Sequence, residues 1–411
     1  MIILEAMAAN HALLRRLAQR ELASGGGLVR RPAGATTVDV AYLRTNPGDG
    51  LPIVVIPGGP GLASALPYRG LRRDATAQGL DLVMMEHRGV GLSRFDVDGA
   101  PLSVADVTIS AAVDDLAAVL DDSGIDRAIV FGSSYGTYVA QLFGIRHPER
   151  VAAMVLDSPI LSVVTDLALT RDYRRQLLVD GPGATPTAVR ALIESGAVSS
   201  IELNHVVTSV YEMAGPEVLR RLVTARTKGR AKLVWRQIVR LGETEVDDAN
   251  PYVMEPDLVA GISYSELGYA HDPDGLPLDP VEPFAAHSAE EFIGEPVSLP
   301  AELPRFTWPT AVIAGERDVR TPPPIAAQIA GLIPDASLIE LTGIGHSALD
   351  SHRRAALAIM HALRENRHAT LPQQAADLSA LPRRGSLQTA SLLIRAGINV
   401  ETRLPVPTRR G

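Results

Sequence analysis

The sequence contains no cysteine, few aromatic residues and no long apolar segment. Of its 411 residues, 4% are aromatic, 46% hydrophobic and 21% charged. The absence of cysteine excludes disulfide bonds, a thiol nucleophile and thiolate zinc sites. It is typical of a reducing compartment, so we expect a cytoplasmic protein. No run of about eighteen apolar residues occurs, so we expect no transmembrane helix and no membrane partner.

An excess of basic residues is also lacking. The formal net charge is −8, so the chain has no electrostatic reason to bind nucleic acid or an anionic membrane. We expect no signal peptide in the first residues, because Glu5 and Asn10 interrupt the apolar core that one requires. They predict a short amphipathic helix with Leu13, Leu14 and Leu17 on one side. The Gly- and Arg-rich stretch that follows, 24–37, predicts a linker. We therefore expect a helix followed by a linker over residues 1–37.

Short apolar runs and helical patterns alternate over residues 38–159, the first part of the predicted core. This alternation predicts an α/β fold with a mostly parallel sheet and right-handed crossovers. The predicted strands cover 38–44, 51–56, 81–85, 128–131 and 152–156, and the predicted helices cover 104–122 and 135–146.

The alternation stops at residues 160–305, which are helix-rich and irregular, with a proline-rich loop predicted over 276–304. We interpret this segment as a helical cap inserted between two strands of one sheet. The core resumes over 306–365 with strands at 310–314 and 337–341 and a helix at 348–365. The tail, 366–411, predicts an appendage or disorder. Helices in the cap are predicted at 184–196, 216–226 and 229–241.

The strongest local motif is the G-x-S-x-G of residues 132–136, centred on Ser134. It follows the apolar strand 128–131 and opens the helix 135–146, the strand–turn–helix context that the motif requires. A Gly/Ser helix cap would show the same letters. The context instead predicts that Ser134 is a nucleophile, held on a strained turn at a helix N-terminus.

A serine nucleophile needs a base, because an unassisted hydroxyl reacts poorly at neutral pH. Of ten histidines, His346 is the candidate, since it follows the strand 337–341 in a glycine-containing turn before a helix. The base needs an acidic partner, and Asp318 lies in the loop after the strand 310–314. The order Ser, Asp, His is typical of this fold. Asp157, which ends the strand 152–156, is the alternative acid, with a structural role in the turn that leads into the cap as its favoured interpretation.

An acyl-transfer site also needs hydrogen-bond donors for the oxyanion. The backbone N–H of Tyr135, directly after the nucleophile, is one candidate. The glycine-rich loop after the strand 51–56 supplies the other, and we assign Gly59 as that donor and Gly58 as a substrate contact. An ordinary Gly/Pro turn is the alternative interpretation of this loop.

Five motifs follow one another along the chain: P-G-G-P-G at 57–61, E-H-R-G-V-G-L-S at 86–93, G-S-S-Y-G-T at 132–137, G-E-R-D at 315–318 and G-I-G-H at 343–346. In this order they resemble the proline iminopeptidase family of α/β-hydrolases over residues 50–160 and 308–365. The resemblance implies cleavage of N-terminal residues from peptides without a metal or cofactor. The chain departs from the family pattern at three places, namely Pro57, the pair Glu86-His87, and Tyr135.

The favoured function is therefore a serine aminopeptidase that acts on a small peptide. A carboxylesterase or lactone-type hydrolase and a non-catalytic binding protein are the alternatives. An aminopeptidase needs a cap carboxylate that pairs with the substrate's ammonium group. We single out Glu266 for this role because it lies in an apolar and aromatic setting between Tyr264 and Tyr269, although a surface glutamate is the plainer interpretation. The oligomeric state is left open.

Overall fold

The computed structural model describes residues 2–48, 50–243, 250–288, 290–383 and 386–402. Eight strands form one sheet in the order β1-β2-β4-β3-β5-β6-β7-β8. β2 is antiparallel to both β1 and β4, and the remaining neighbours are parallel. The predicted α/β fold is thus confirmed. The strands are β1 (Gly26–Ala33), β2 (Thr36–Thr45), β3 (Ile53–Ile56), β4 (Leu82–Met85), β5 (Ala128–Ser133), β6 (Val151–Asp157), β7 (Thr310–Gly315) and β8 (Ala336–Leu341).

Helices pack on both faces of the sheet, which explains the uninterrupted apolar runs in its central strands. In β3, Ile53 and Val55 belong to the apolar cluster on one face, and Val54 and Ile56 to the cluster on the other. The helices of the core are α1 (Ile2–Ala23), α2 (Arg69–Thr76), α3 (Ile109–Asp122) and α4 (Tyr135–Arg146) before the cap, and α12 (Pro323–Leu332), α13 (Ala348–Ser351) and α14 (Arg353–Arg364) after it.

The segment between β6 and β7 forms the helical insertion that the sequence predicts. Part of it has an apolar core of its own, built by α6 to α9, and other parts pack against the sheet. The prediction of loop over 276–304 is wrong in part, because two four-residue helices, α10 and α11, lie there. The insertion contains α5 (Val163–Arg175), α6 (Ala184–Glu194), α7 (Ser200–Ala214), α8 (Pro216–Thr227), α9 (Lys232–Glu243), α10 (Glu282–Ala285) and α11 (Leu299–Glu302).

The stretch 24–37 is not a linker, and that prediction is wrong. It forms the edge strand β1 and the start of β2, which pair over eight residues from Gly26↔Leu43 to Ala33↔Thr36. The residues of β1 alternate between exposed and partly buried. An edge strand with one solvated face needs few apolar residues, so its arginines resembled a linker. The helix predicted before it is confirmed as α1, in which Leu14 and Leu17 are partly buried. The third predicted residue of its apolar side, Leu13, is 51% exposed.

The predicted single helix at 348–365 is two helices, α13 and α14, which are separated at His352. The tail after residue 366 contains α15 (Ala375–Ala380) and α16 (Ser386–Glu401). Ile394 and Ile398 of α16 are buried in the apolar core of the cap, so this part of the tail belongs to the cap's packing. In the described part of the chain, no helix is long and apolar enough to cross a membrane.

Candidate active site

Ser134 occupies the one-residue turn between β5 and α4, and its backbone is strained. Its φ is 52° and its ψ is −122°, a conformation that costs a residue with a side chain about 1–3 kcal/mol. The Ser134 N–H donates to the carbonyl oxygen of Asp157 at the end of β6 (2.9 Å). This turn presents the Ser134 hydroxyl at the carboxyl edge of the parallel sheet, where sites in α/β folds form.

The two glycines of the G-x-S-x-G motif are required because a larger residue would not fit at either position. A Cβ atom on Gly132 would collide with the carbonyl oxygen of Gly136, and a Cβ on Gly136 would collide with that of Ile56. Gly58 is also close, since a Cβ there would stand 3.3 Å from Cβ and 3.9 Å from Oγ of Ser134. The motif therefore reflects the close approach of β3, β5 and α4 around the serine.

His346 and Asp318 lie on the loops that follow the last two strands, and their side chains are in direct contact. His346 Nδ1–H donates to Asp318 Oδ2 at 2.9 Å. The other Asp318 oxygen accepts the backbone N–H groups of Arg320 and Thr321, each at 2.9 Å. Because Nδ1 carries the proton, Nε2 is the basic atom of the imidazole ring.

Burial and charge act in opposite directions on this pair. Burial alone would lower the pKa of His346, but the adjacent Asp318 carboxylate outweighs burial and raises that pKa above the ordinary value. Burial alone would raise the pKa of Asp318, yet His346 and the hydrogen bonds around the carboxylate hold it below the ordinary value. Asp318 therefore remains an anion at neutral pH and stabilises a protonated imidazole.

Asp157 has different partners from Asp318. Its carboxylate accepts the N–H groups of Ala348 (3.0 Å) and Leu349 (2.7 Å) at the start of α13. Burial raises the pKa of Asp157 to about 7. Among the described residues, the carboxylate that makes a hydrogen bond to His346 is that of Asp318 and not that of Asp157. These contacts give Asp157 the structural role that the sequence favours for it.

The backbone N–H groups of Gly59 and Tyr135 are the two predicted oxyanion donors, and each of these residues makes a hydrogen bond through another of its polar groups. The loop that follows β3, residues 57–65, is here called the glycine loop. Within it, the Gly59 carbonyl oxygen accepts the Tyr269 hydroxyl at 3.0 Å. The Tyr135 hydroxyl donates to His87 Nε2 at 2.8 Å, because the other ring nitrogen of His87 donates to the carbonyl oxygen of Arg88 (2.6 Å). The role of the two N–H groups as oxyanion donors stays a prediction.

The E-H-R-G segment braces the loops beside the serine. Glu86 is fully buried, and its carboxylate accepts the N–H groups of Ser64 (2.5 Å) and Ala65 (3.0 Å) in the glycine loop. Arg88 forms a bidentate pair with the buried Asp115, with two contacts of 2.6 Å. Glu86 and Arg88 thus bind other groups of the protein, which agrees with a structural role for this segment.

Glu266 lies in the cap, where its partner is the backbone N–H of Ile109, at 3.2 and 3.3 Å from its two oxygens. It therefore caps the N-terminus of α3, where a negative charge is favourable. Burial raises the pKa of Glu266. The pKa of the Tyr135 phenol is raised by burial and, to a smaller extent, by the charge of Glu266. An ammonium anchor at this position would share the carboxylate with α3, and the anchor role stays a prediction.

Glu212, a second cap carboxylate close to the candidate site, is absent from the residues predicted from the sequence. Glu212 lies in α7 and is 8% exposed. Its carboxylate accepts the Val319 N–H and the Arg320 guanidinium, both at 3.3 Å, and its charge raises the pKa of His346. The signal in the sequence is an isolated acidic residue on the apolar face of a helix, which is unusual for a buried position.

Comparison with known proteins agrees with this architecture. The model of a family described as alpha/beta hydrolase fold matches residues 52–353. The chain therefore belongs to the alpha/beta hydrolase fold family.

Individual relatives differ in activity. The chain is 28% identical to rhodomycin D methylesterase DauP of Streptomyces sp. (strain C5) over 313 residues, which cover 75% of this chain and 89% of the relative. It is 34% identical to a proline iminopeptidase of Neisseria meningitidis over 109 residues, or 26% of this chain and 32% of the relative. A crystal structure of a proline iminopeptidase from Mycobacterium smegmatis aligns over 85% of this chain and 99% of that one, with 18% identity and a TM-score of 0.49. The resemblance to proline iminopeptidases is thus confirmed only as membership of the wider family.

Proposed function

We propose that this protein is a serine hydrolase that forms an acyl-enzyme on Ser134. The 2.9 Å contact between His346 Nδ1 and Asp318 Oδ2 carries the proposal. It fixes the tautomer in which Nε2 can accept the serine proton. The strained turn at Ser134 and the glycine loop beside it support the same chemistry.

In the proposed reaction, His346 accepts the proton as Ser134 Oγ attacks the substrate carbonyl carbon. The carbonyl oxygen becomes an oxyanion, which the N–H groups of Tyr135 and Gly59 stabilise. His346 then returns the proton to the leaving group, and an acyl ester of Ser134 remains. A water molecule, activated by the same imidazole, releases the carboxylic acid and regenerates the hydroxyl.

For the substrate class, we propose carboxylic esters. Among the described residues, two cap carboxylates act electrostatically on site residues, and each already accepts protein donors: Glu266 binds the Ile109 N–H, and Glu212 binds Arg320 and the Val319 N–H. Ester cleavage needs no ammonium anchor, and it spares the enzyme a poor amine leaving group. The methylesterase relative, which spans three quarters of this chain, supports an ester substrate.

The experiment is a side-by-side assay of short p-nitrophenyl esters and aminoacyl-naphthylamides. We expect ester hydrolysis with a burst of nitrophenol, whose amplitude equals the enzyme concentration when deacylation is the slow step. The Ser134→Ala variant is the control and should show no burst. Efficient naphthylamide cleavage with negligible ester turnover would reject the ester assignment while leaving the serine hydrolase intact.

Aminopeptidase activity is the second candidate, and one observation favours it. Glu266 is half-buried near the phenol of Tyr135, where it could share its carboxylate between Ile109 and a substrate ammonium. A charge-assisted hydrogen bond of this kind contributes about 1.5–3 kcal/mol.

The Glu266→Gln variant tests this candidate. An ammonium anchor predicts that kcat/KM falls about tenfold or more for substrates with a free N-terminus, with N-acetylated and simple ester substrates unaffected. Glu282→Gln is the matched control, since Glu282 is another cap glutamate, bonded to the Ser200 hydroxyl at an exposed site (2.6 Å). An equal loss on both substrate classes would mean that Glu266 serves only to cap α3.

A further inference from the structure

The glycine loop is attached to the cap along its length. The Ala63 N–H donates to the carbonyl oxygen of Val253 at 3.0 Å, and the Glu255 N–H donates to that of Gly61 at 2.9 Å. A Cβ atom on Gly61 would lie 2.8 Å from the carbonyl oxygen of Glu255, so the two backbones are in close contact. The loop that carries one predicted oxyanion donor is therefore held from the cap side as well as by the sheet.

Gly59 itself is contacted by Tyr269 of the cap. Its hydroxyl donates to the Gly59 carbonyl oxygen at 3.0 Å. The ring of Tyr269 packs edge-on against Phe284, with 5.3 Å between centroids and an interplanar angle of 63°. Burial raises the pKa of the Tyr269 phenol, so the hydroxyl keeps its proton and donates across the neutral pH range.

Gly59 has no side-chain contact of its own that could fix its conformation. It has no side chain, and its φ of 120° lies in the region that favours glycine. Its N–H and its carbonyl group are separated by two rotatable bonds, so a restraint on the carbonyl group limits the directions that the N–H can take. Catalytic donors must point to where the oxyanion develops, and small misplacements have large effects on rate.

We infer that Tyr269 is a positioning residue, which holds the Gly59 N–H in the direction that the oxyanion requires. The cap then contributes to the chemical step through this hydroxyl. The inference rests on the proposed serine hydrolase function and goes beyond it, because it assigns a catalytic consequence to a residue outside the triad and the loop.

The expected effect is smaller than the loss of a donor. Removing one oxyanion donor from a serine protease costs about 10²–10³ in kcat. Without the Tyr269 hydroxyl, Gly59 keeps its N–H but loses its fixed direction, so we expect kcat to fall on the order of tenfold. KM should stay unchanged, because the oxyanion forms only as the reaction proceeds.

The test compares Tyr269→Phe with Tyr42→Phe. Both substitutions remove one phenol hydrogen bond, but the Tyr42 hydroxyl donates to Asp122 (2.7 Å) at the end of α3. Steady-state kinetics on a p-nitrophenyl ester give kcat and KM, and thermal unfolding reports stability. A trifluoromethyl ketone supplies a second readout, since its adduct with Ser134 places a negatively charged oxygen in the predicted oxyanion site.

The inference predicts that Tyr269→Phe lowers kcat and trifluoromethyl ketone affinity by the same factor, with KM and the unfolding temperature as in Tyr42→Phe. An unchanged kcat, or a rise in KM alone, would overturn the positioning role while wild-type activity upholds the serine hydrolase. A wild type that neither turns over esters nor binds the ketone would overturn the proposed function, and this inference with it.

Discussion

The Ser133 hydroxyl donates to the Ser347 hydroxyl at 2.9 Å, which joins the residue before the predicted nucleophile to the residue after the predicted base. Ser347 is fixed in turn, because its N–H donates to Ser158 Oγ at 2.9 Å and its hydroxyl donates to Asp350 at 2.6 Å. The two serines are 214 positions apart in the chain, and the segment between them includes the whole cap. The mutual placement of Ser134 and His346 therefore depends on a bond within the core.

The two candidate acids should respond differently to the same substitution. Asp318→Asn removes the anion that orients His346, and in a serine protease the equivalent change lowers kcat by about 10⁴. Asp157→Asn removes an acceptor of the Ala348 or Leu349 N–H and should cost about 1–3 kcal/mol of stability. Steady-state kinetics and denaturant unfolding of both variants check this. A crippled but stable Asp157→Asn, with Asp318→Asn nearly active, would exchange the two roles.

The pH dependence of kcat/KM should reflect the charges around His346. Its pKa is raised above 6.5, and the protonated ring cannot accept the serine proton, so activity should fall on the acid side with a midpoint above 6.5. Glu212 raises this pKa and Arg320 lowers it. Glu212→Gln should therefore move the acid limb to lower pH, and Arg320→Gln should move it to higher pH. Shifts of both variants in the same direction would contradict this electrostatic account.

The strained turn at Ser134 has a cost in stability that can be measured. Glycine adopts its φ of 52° without the penalty of about 1–3 kcal/mol, at an entropic cost of about 0.5–1 kcal/mol. We expect Ser134→Gly to unfold with a free energy about 1 kcal/mol higher than that of Ser134→Ala, and both variants to be inactive. Chemical denaturation measures the difference. A Ser134→Gly variant that is less stable than Ser134→Ala would show that the turn is not strained.

The space beside Ser134 is kept open by Gly58. In Gly58→Ala the new methyl group would stand 3.9 Å from Ser134 Oγ, where the substrate carbonyl must approach, so kcat/KM should fall about tenfold or more. Gly331→Ala is the matched control, because a Cβ on Gly331 in α12 has no neighbour within 4 Å, and alanine there should add about 0.5–1 kcal/mol of stability. Full activity of Gly58→Ala would mean that the substrate does not pass this loop.

Much of this fold can be predicted from local patterns. The apolar runs of β3, β4 and β5 are unambiguous because these strands are buried on both faces, and α4 has the predicted bounds of Tyr135–Arg146. The edge strand β1 was missed because one of its faces is solvated. The helix α5 was missed because more than half of its residues are polar or charged. Patterns of this kind report burial, which explains why β1 and α5 were missed but not why the largely buried α7 was also missed.

The candidate site likewise has residues that the sequence predicts and contacts that it does not predict. Ser134, Asp318 and His346 each follow a recognisable strand, so their position at one edge of the sheet follows from topology. The contacts of Tyr269 with Gly59 and of Glu212 with Arg320 join the cap to the core. They depend on tertiary packing, which no periodicity in the sequence encodes.

The central claim is that Ser134 is an activated nucleophile. The most direct measurement is reaction of the purified protein with a fluorophosphonate, followed by mass spectrometry of the labelled peptide. The account predicts one label per chain, on Ser134, with no labelling of Ser134→Ala and labelling slowed by several orders of magnitude in His346→Ala, because phosphonylation needs the base. Undiminished labelling of Ser134→Ala, or a label on another residue, would contradict it.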